Sequence, residues 1–300
     1  MDVEKFSHAI ERIESSFGKT TVVITGGEPF MHPKWKDFLE IASNKCDSVI
    51  ITSNGSFSKE IADFLMPFLK KNVYLQMSLD GTEQMHDSLR GKNAYSKVLY
   101  NLQYLESVCS HIVISTTVSQ NNYKDIINLA QTLNNYSFKH WKVSPEQVLN
   151  PKDKGYIKPD NWNDFVDKLL PYCSYLVHIQ KIFDFTIMDQ FLKENYDLSR
   201  INCNCGIGRS KIYLSPNYDI IPCSCMPDRL GNLFELTSQE LLLKLLPYSK
   251  IVHDSKSVCG SCKYLKICNG GCPGYSKKVF GVLNMGDIRC PKISSFYEKR

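Results

Sequence analysis

Nine of the twelve cysteines in this 300-residue chain fall between Cys203 and Cys290. That crowding restricts the last third of the molecule more than any other feature. Its centre is Cys259-x2-Cys262-x5-Cys268-x3-Cys272, preceded by Cys203, Cys205, Cys223 and Cys225 and followed by Cys290. The N-terminus, MDVEKFSHAI, carries acids early and has no apolar h-region, so no signal peptide is expected and the chain reads as cytoplasmic. In that compartment grouped cysteines are metal ligands or redox groups rather than disulfides. A [4Fe–4S] cluster takes four ligands, usually thiolates, and Gly-rich loops such as Gly270-Gly271 let backbone amides approach its sulfides. Nine cysteines supply two such sites with one to spare. A zinc ribbon is the alternative for a lone C-x2-C, and the longer set of spacings favours iron–sulfur. Cys46, Cys109 and Cys173 are scattered and join no motif.

Residues up to about 145 alternate between two periodicities. Short β-branched runs (Val22–Thr25, Val49–Thr52, Val73–Leu79, Ile112–Val118 and Phe138–Val143) are separated by helical stripes. Trp35, Phe38, Leu39 and Ala42 form one stripe. Ile61, Phe64, Leu65 and Phe68 form another, and Tyr95/Val98/Leu99/Leu102 and Ile126/Leu129/Ala130/Leu133 repeat the spacing. Such alternation predicts an α/β fold with parallel strands and right-handed crossovers. An amphipathic helix bearing Phe6, Ile10, Ile13 and Phe17 precedes the first strand. Residues 146–200 read as a loop, PKDKGYIKPD, and then helices through Tyr196. A domain boundary is expected near Ser199, giving residues 1–199 and 200–300.

Three strands end in small polar turns: Thr25-Gly26-Gly27-Glu28-Pro29, Thr52-Ser53-Asn54-Gly55 and Ser78-Leu79-Asp80-Gly81. All lie at C-terminal strand ends, the edge where β/α barrels assemble active sites. Free carbonyls at the two glycines, with Glu28, suit an ammonium group. Each turn alone is an ordinary loop signal. His86, Asp87 and Arg90, just downstream, read equally well as a structural salt bridge.

Taken in order, these motifs resemble the radical SAM superfamily, and the C-terminal third resembles its SPASM domain. The resemblance to the latter rests on CGIGRSKIYLSPNYDIIPC, RLGNLFE, CGSCKYLKICNGGCPG and Cys290-Pro291. It implies an incomplete β/α partial barrel followed by a small domain with two auxiliary [4Fe–4S] clusters. One would be held by Cys205, Cys223 and Cys272 with Cys203 as fourth ligand, or Cys225 in competition. The other would be held by Cys259, Cys262, Cys268 and Cys290. It further implies that Gly26, Gly27, Glu28 and Pro29 hold the amino end of S-adenosylmethionine, with Ser53, Asn54, Ser78 and Asp80 as further contacts. The family's usual glycine, separated from Cys223 by four residues, is Tyr218 here, and Asn217 is expected to absorb the left-handed turn.

The superfamily also uses a C-x3-C-x2-C loop for its core cluster, and these 300 residues contain none. The expectation is an N-terminally shortened form, because a missing first strand leaves an open edge on Val22–Thr25. The alternative is a degenerate electron-transfer or peptide-binding protein. The implied activity is radical oxidation or cross-linking of a peptide or protein, supported by a reductant such as a flavodoxin or ferredoxin. Sulfatase maturation is disfavoured, since those enzymes place an Asp where Ser224 stands. The net charge of +5 is mild, and no basic run interleaved with aromatics argues for nucleic acid. No apolar stretch is long enough for a membrane span.

Overall fold

A computed structural model describes residues 1–147, 157–194, 206–226 and 228–297. The expected domain boundary near Ser199, most of the PKDKGYIKPD loop, and Cys203 and Cys205 lie outside these described residues.

The fold is α/β. Helix α1 (Val3–Phe17) leads into β1 (Thr21–Ile24), α2 (Trp35–Lys45), β2 (Ser48–Ser53), α3 (Lys59–Leu69) and β3 (Val73–Ser78). The chain continues through α4 (Glu83–Arg90), α5 (Ala94–Tyr104), β4 (Ile112–Val118), α6 (Ile126–Leu133) and β5 (His140–Pro145). Then come α7 (Pro159–Leu169), β6 (Val177–His178) and α8 (Phe185–Lys193). The six strands lie in sequence order, β1-β2-β3-β4-β5-β6, and every neighbouring pair is parallel. A strand order that follows chain order is what successive right-handed crossovers produce. The sheet is open, with β1 at one edge and Val23 there 52% exposed.

Alternation along each strand divides the sheet into two faces. Val49, Ile51, Leu75, Met77, Ile112, Ile114, Trp141 and Val143 point at the helices and are buried. They meet the stripes of α2, α3, α5 and α6, whose Leu39, Ala42, Leu65, Val98, Leu129 and Ala130 belong to the same core. Trp141 is fully buried and its indole N–H donates to Thr116 Oγ1 at 2.8 Å, which settles its one polar atom. The opposite face carries Thr52, Gln76, Ser78, Ser115 and Lys142 and is only partly covered.

The C-terminal region is built differently. Strands β7 (Tyr213–Leu214), β8 (Asp219–Ile221) and β9 (Gly231–Asn232) form a small antiparallel sheet. Helix α9 (Ser238–Ser249) follows, begun by a capping box between Thr237 and Glu240, and then come α10 (Leu265–Cys268), α11 (Pro273–Phe280) and α12 (Pro291–Tyr297). Its apolar clusters are small. One joins Tyr218, Ile220, Leu233, Leu241 and Leu245 to Ala9 of α1.

Tyr218 corrects an expectation. It is Tyr218 itself, and not Asn217, that takes the left-handed conformation, with φ of 65°. Its side chain supplies the reason: it is buried, packs edge-on against Phe234 with ring centroids 5.2 Å apart, and donates its hydroxyl to the Asp2 carbonyl at 2.5 Å. Those contacts offset a backbone cost on the order of 1–2 kcal/mol and tie α1 to the C-terminal sheet.

Candidate functional site

The strand-end turns come together, and Glu28 joins two of them. Its carboxylate accepts from Ser53 Oγ at 2.8 Å and from the Asn54 backbone N–H at 2.7 Å, and it also caps the short turn of Pro29–Met31. The GGEP and TSNG turns are thereby fixed to one another. Gly26 has φ of 140°, a conformation side chains rarely adopt, and a Cβ on Gly26 or Gly27 would meet nothing within 4 Å. The turn is therefore an open cradle whose backbone faces solvent, and a ligand's ammonium fits its carbonyls. Glu28 serves chiefly as the staple holding that cradle.

Asp80 turns out to be committed elsewhere. Its Oδ2 accepts from Arg90 Nε at 2.9 Å and Nη2 at 2.6 Å, and its Oδ1 accepts from the Thr117 N–H at 2.8 Å. Its own N–H donates to His86 Nδ1 at 3.0 Å, and its carbonyl accepts from Asn122 Nδ2 at 2.9 Å. Asp87 caps the start of α5 through the N–H groups of Asn93 and Tyr95. Arg90, His86 and Asp87 thus form a latch around the β3 turn, so the structural reading of the three prevails. Burial holds His86 below the ordinary imidazole range, against an opposing pull from Asp80. The Ser78 hydroxyl, on the open face, has no hydrogen-bond partner among the described residues.

The cysteines form two groups. Cys259, Cys262, Cys268 and Cys290 line one cavity with Phe183, Phe185, Tyr264 and Ile293. Burial first, and then the neighbouring thiols Cys268, Cys290 and Cys262, push the Cys259 thiol up to about 12. Such crowding disfavours four free thiolates and is relieved by cations among them. Yet among the described residues no three His, Cys, Asp or Glu side chains converge as ligands of one metal ion would. Four thiolates on a single zinc stand only about 3.8 Å apart. Thiols arranged around a cavity fit a cluster better than an ion, and this donor set passes as a [4Fe–4S] site.

The second group brings together Cys223, Cys225 and Cys272. The Cys225 N–H lies 3.4 Å from Cys223 Sγ, and a Cβ on Gly274 would sit 3.1 Å from Cys225 Cβ and 3.5 Å from Cys272 Sγ. The Cys223 thiol stabilises a Cys225 thiolate by hydrogen bonding and draws it down to about 7. Cys225 also donates to Gln147, just beyond β5. Cys203 and Cys205 lie outside the described residues, so Cys225 is the extra cysteine seen beside Cys223 and Cys272.

Between the two groups sits a pair that the sequence reading missed. Asp287, with no exposed surface, accepts from the Cys272 N–H at 3.0 Å and from Arg289 Nη2 at 2.7 Å. Arg289 lies 4.1 Å from the Tyr275 ring centroid. Asp287 raises Cys259, Cys272 and Cys290 alike, in each case behind burial. The signal was an Asp and an Arg flanking a cysteine, too common to single out.

The molecule thus combines an open parallel sheet, a glycine cradle at one strand end and grouped thiols in its C-terminal region. Residues 1–133 match the model described as Radical SAM superfamily. The chain is 24% identical over 238 residues to the subtilosin biosynthesis protein AlbA of Bacillus subtilis, covering 78% of this chain and 51% of that protein. It thus spans about half of that relative's length. It is 25% identical over 297 residues to the AdoMet-dependent heme synthase of Methanosarcina barkeri, covering 90% of this chain and 82% of that one. Streptococcus suis SuiB, solved with S-adenosylmethionine, has the same fold: TM-score 0.75 at 18% identity, over 97% of this chain and 70% of SuiB. No helix among the described residues is long and apolar enough to cross a membrane.

Proposed function

We propose that this chain serves radical SAM modification of a ribosomally made peptide or a protein, with residues 1–199 as its sheet domain and 200–300 as a SPASM-type domain. The observation that carries the reading is the pairing of the Gly26-Gly27 cradle with two separate thiol groups in one molecule. Cys259, Cys262, Cys268 and Cys290 hold one [4Fe–4S] cluster. Cys205, Cys223 and Cys272 hold the other, with Cys203 or the competing Cys225 as fourth ligand; the position of Cys225 against Cys223 and Gly274 supports its candidacy. S-adenosylmethionine, when bound and reduced, supplies a radical that removes a substrate hydrogen. The chain's own residues orient its amino end through the Gly26 and Gly27 carbonyls, with Glu28 fixing the cradle, and hold the clusters that receive electrons. Similarity to AlbA, a bacteriocin biosynthesis protein, supports the peptide substrate. The protein acts in the cytoplasm, with a flavodoxin or ferredoxin as reductant and neither membrane nor nucleic acid as partner.

The test is anaerobic reconstitution. About eight irons and eight sulfides per chain are expected, and stoichiometric zinc without sulfide would sink the cluster assignment. As it stands the chain should form no 5′-deoxyadenosine, because four-cysteine clusters offer no open iron. A version with a strand and a C-x3-C-x2-C loop placed before Met1 should form it and alter a peptide's mass. Three bound clusters without cofactor cleavage would favour an electron-transfer role instead. The coverage of the heme synthase supports a second reading, a porphyrin substrate, so the same assay carries a porphyrin arm.

A further inference from the structure

The strand register aligns Ser78 with Ser115, Ser115 with Lys142, and Lys142 with His178. One polar row therefore crosses β3 to β6 on the face away from the helices. The hydroxyls of Ser78 and Ser115 have no hydrogen-bond partner among the described residues. Lys142 carries a cation into this row, and Lys211 of the C-terminal region is near enough to repel that charge. His140, two residues before Lys142 on the same face, stacks on His178 with ring centroids 3.9 Å apart. Lys139 completes the basic surroundings, its ammonium 4.2 Å from the Tyr74 ring centroid. Among the described residues no carboxylate pairs with Lys142; burial and Lys211 both disfavour its charge. Two mutually repelling ammonium groups thus lie near the Ser115 hydroxyl, and among the described residues no carboxylate accepts from Lys142.

We propose that Ser115, Lys142 and Lys211 form a subsite for a carboxylate of the substrate, an acidic side chain or a chain terminus. It rests on the peptide-modifying reading above and adds what that substrate carries. Every donor here is a hydroxyl or an ammonium. Among the described residues no arginine fork, helix N-terminus or glycine nest, the usual furniture of phosphate sites, contributes. The cofactor's own carboxylate cannot reach. Gly26 and Gly27 follow β1, and Lys142 is on β5, four strand spacings of about 4.8 Å away, or roughly 19 Å across the sheet. An amino acid held by its amino group at the glycines has its carboxylate only about 3 Å further on.

The test is site-resolved acetylation of Lys142, followed by mass spectrometry on the reconstituted chain. N-acetyl-aspartate N-methylamide should slow labelling about fivefold, as a charge-assisted contact of this kind would. The capped asparagine analogue should not. Ser115→Ala and Lys211→Met, each folded and each measured against its own unliganded labelling rate, should lose that protection. Equal effects of the two capped residues, or none, overturn the proposal. So does stronger protection by inorganic phosphate, or protection by S-adenosylmethionine that capped aspartate cannot increase. Iron content is measured on the same samples. Full iron without protection condemns the subsite alone, and protection without iron condemns only the cluster reading.

Discussion

The two halves of this molecule are held together by different physics. In the sheet region, one continuous core runs from Ile10 to Leu169, and six parallel strands satisfy one another's backbone groups. Beyond residue 206 the strands are two or three residues long, and the apolar clusters are those around Tyr218 and a set of three, Ile207, Met226 and Tyr248. A region with so little buried apolar area needs another source of stability, and the clusters proposed for its grouped thiols would provide one. On the proposed reading, the first half is a fold that binds a cofactor and the second is a fold that clusters complete.

Removing the clusters should therefore break the halves apart, and this is the largest effect expected. Limited proteolysis of the apo chain should cut the 206–297 region orders of magnitude faster than the reconstituted chain. The sheet region should survive as a resistant fragment in both. Cys268→Ser should remove about half the iron, one of two clusters. Equal cutting of both regions would abolish the distinction drawn here.

Asp287→Asn sharpens it from the other side, since it tests the most buried of the described ion pairs within the cysteine region. Arg289 is buried against Tyr275 and would lose its counter-charge, at a cost of about 3–5 kcal/mol. Arg289→Met combined with Asp287→Asn should recover most of that loss. If both variants are equally destabilised, the pair matters through the Cys272 N–H bond rather than through its charge.

The contrast also explains what the sequence disclosed. The first five strands of the sheet and their covering helices were legible because one face is apolar and the other polar, a pattern that periodicity detects. β6 was missed because two residues carry no period. Lys142 was read as one residue of a strand; only register shows that it shares a row with Ser78 and Ser115. The thiol grouping was legible from spacing, yet the Asp287–Arg289 pair between the groups depends on Gly270 and Gly271 folding back beside it. Asp80 illustrates the limit of motif reading: a D-G turn looks available for ligands, and only the structure shows its carboxylate already occupied by Arg90 and the Thr117 N–H.

Tyr218 joins the two halves, and its variants separate two contributions. Tyr218→Phe removes only the hydroxyl bond to Asp2 and should cost about 1 kcal/mol. Tyr218→Gly relieves the left-handed backbone but gives up the buried ring. A net loss of roughly 1–3 kcal/mol is expected, since ring burial outweighs the relief. A Gly variant more stable than the Phe variant would mean that α1 gains little from this anchor.

The smallest effect lies wholly within the sheet region and depends on pH. His86 is buried, its Nδ1 accepts from the Asp80 N–H, and its folded pKa is lowered by burial. The fold therefore prefers the neutral ring. Its contribution is complete above the unfolded value of about 6.5 and is lost as pH falls through that value toward the folded one. His86→Asn, which keeps an acceptor for the Asp80 N–H without a titrating ring, should flatten the loss of melting temperature between about pH 7 and pH 5. The change should be confined to the sheet transition and leave the iron-dependent transition of the cysteine region where it was. A variant that moves both transitions would mean that the β3 latch is coupled to the thiol groups, and that the two halves unfold as one.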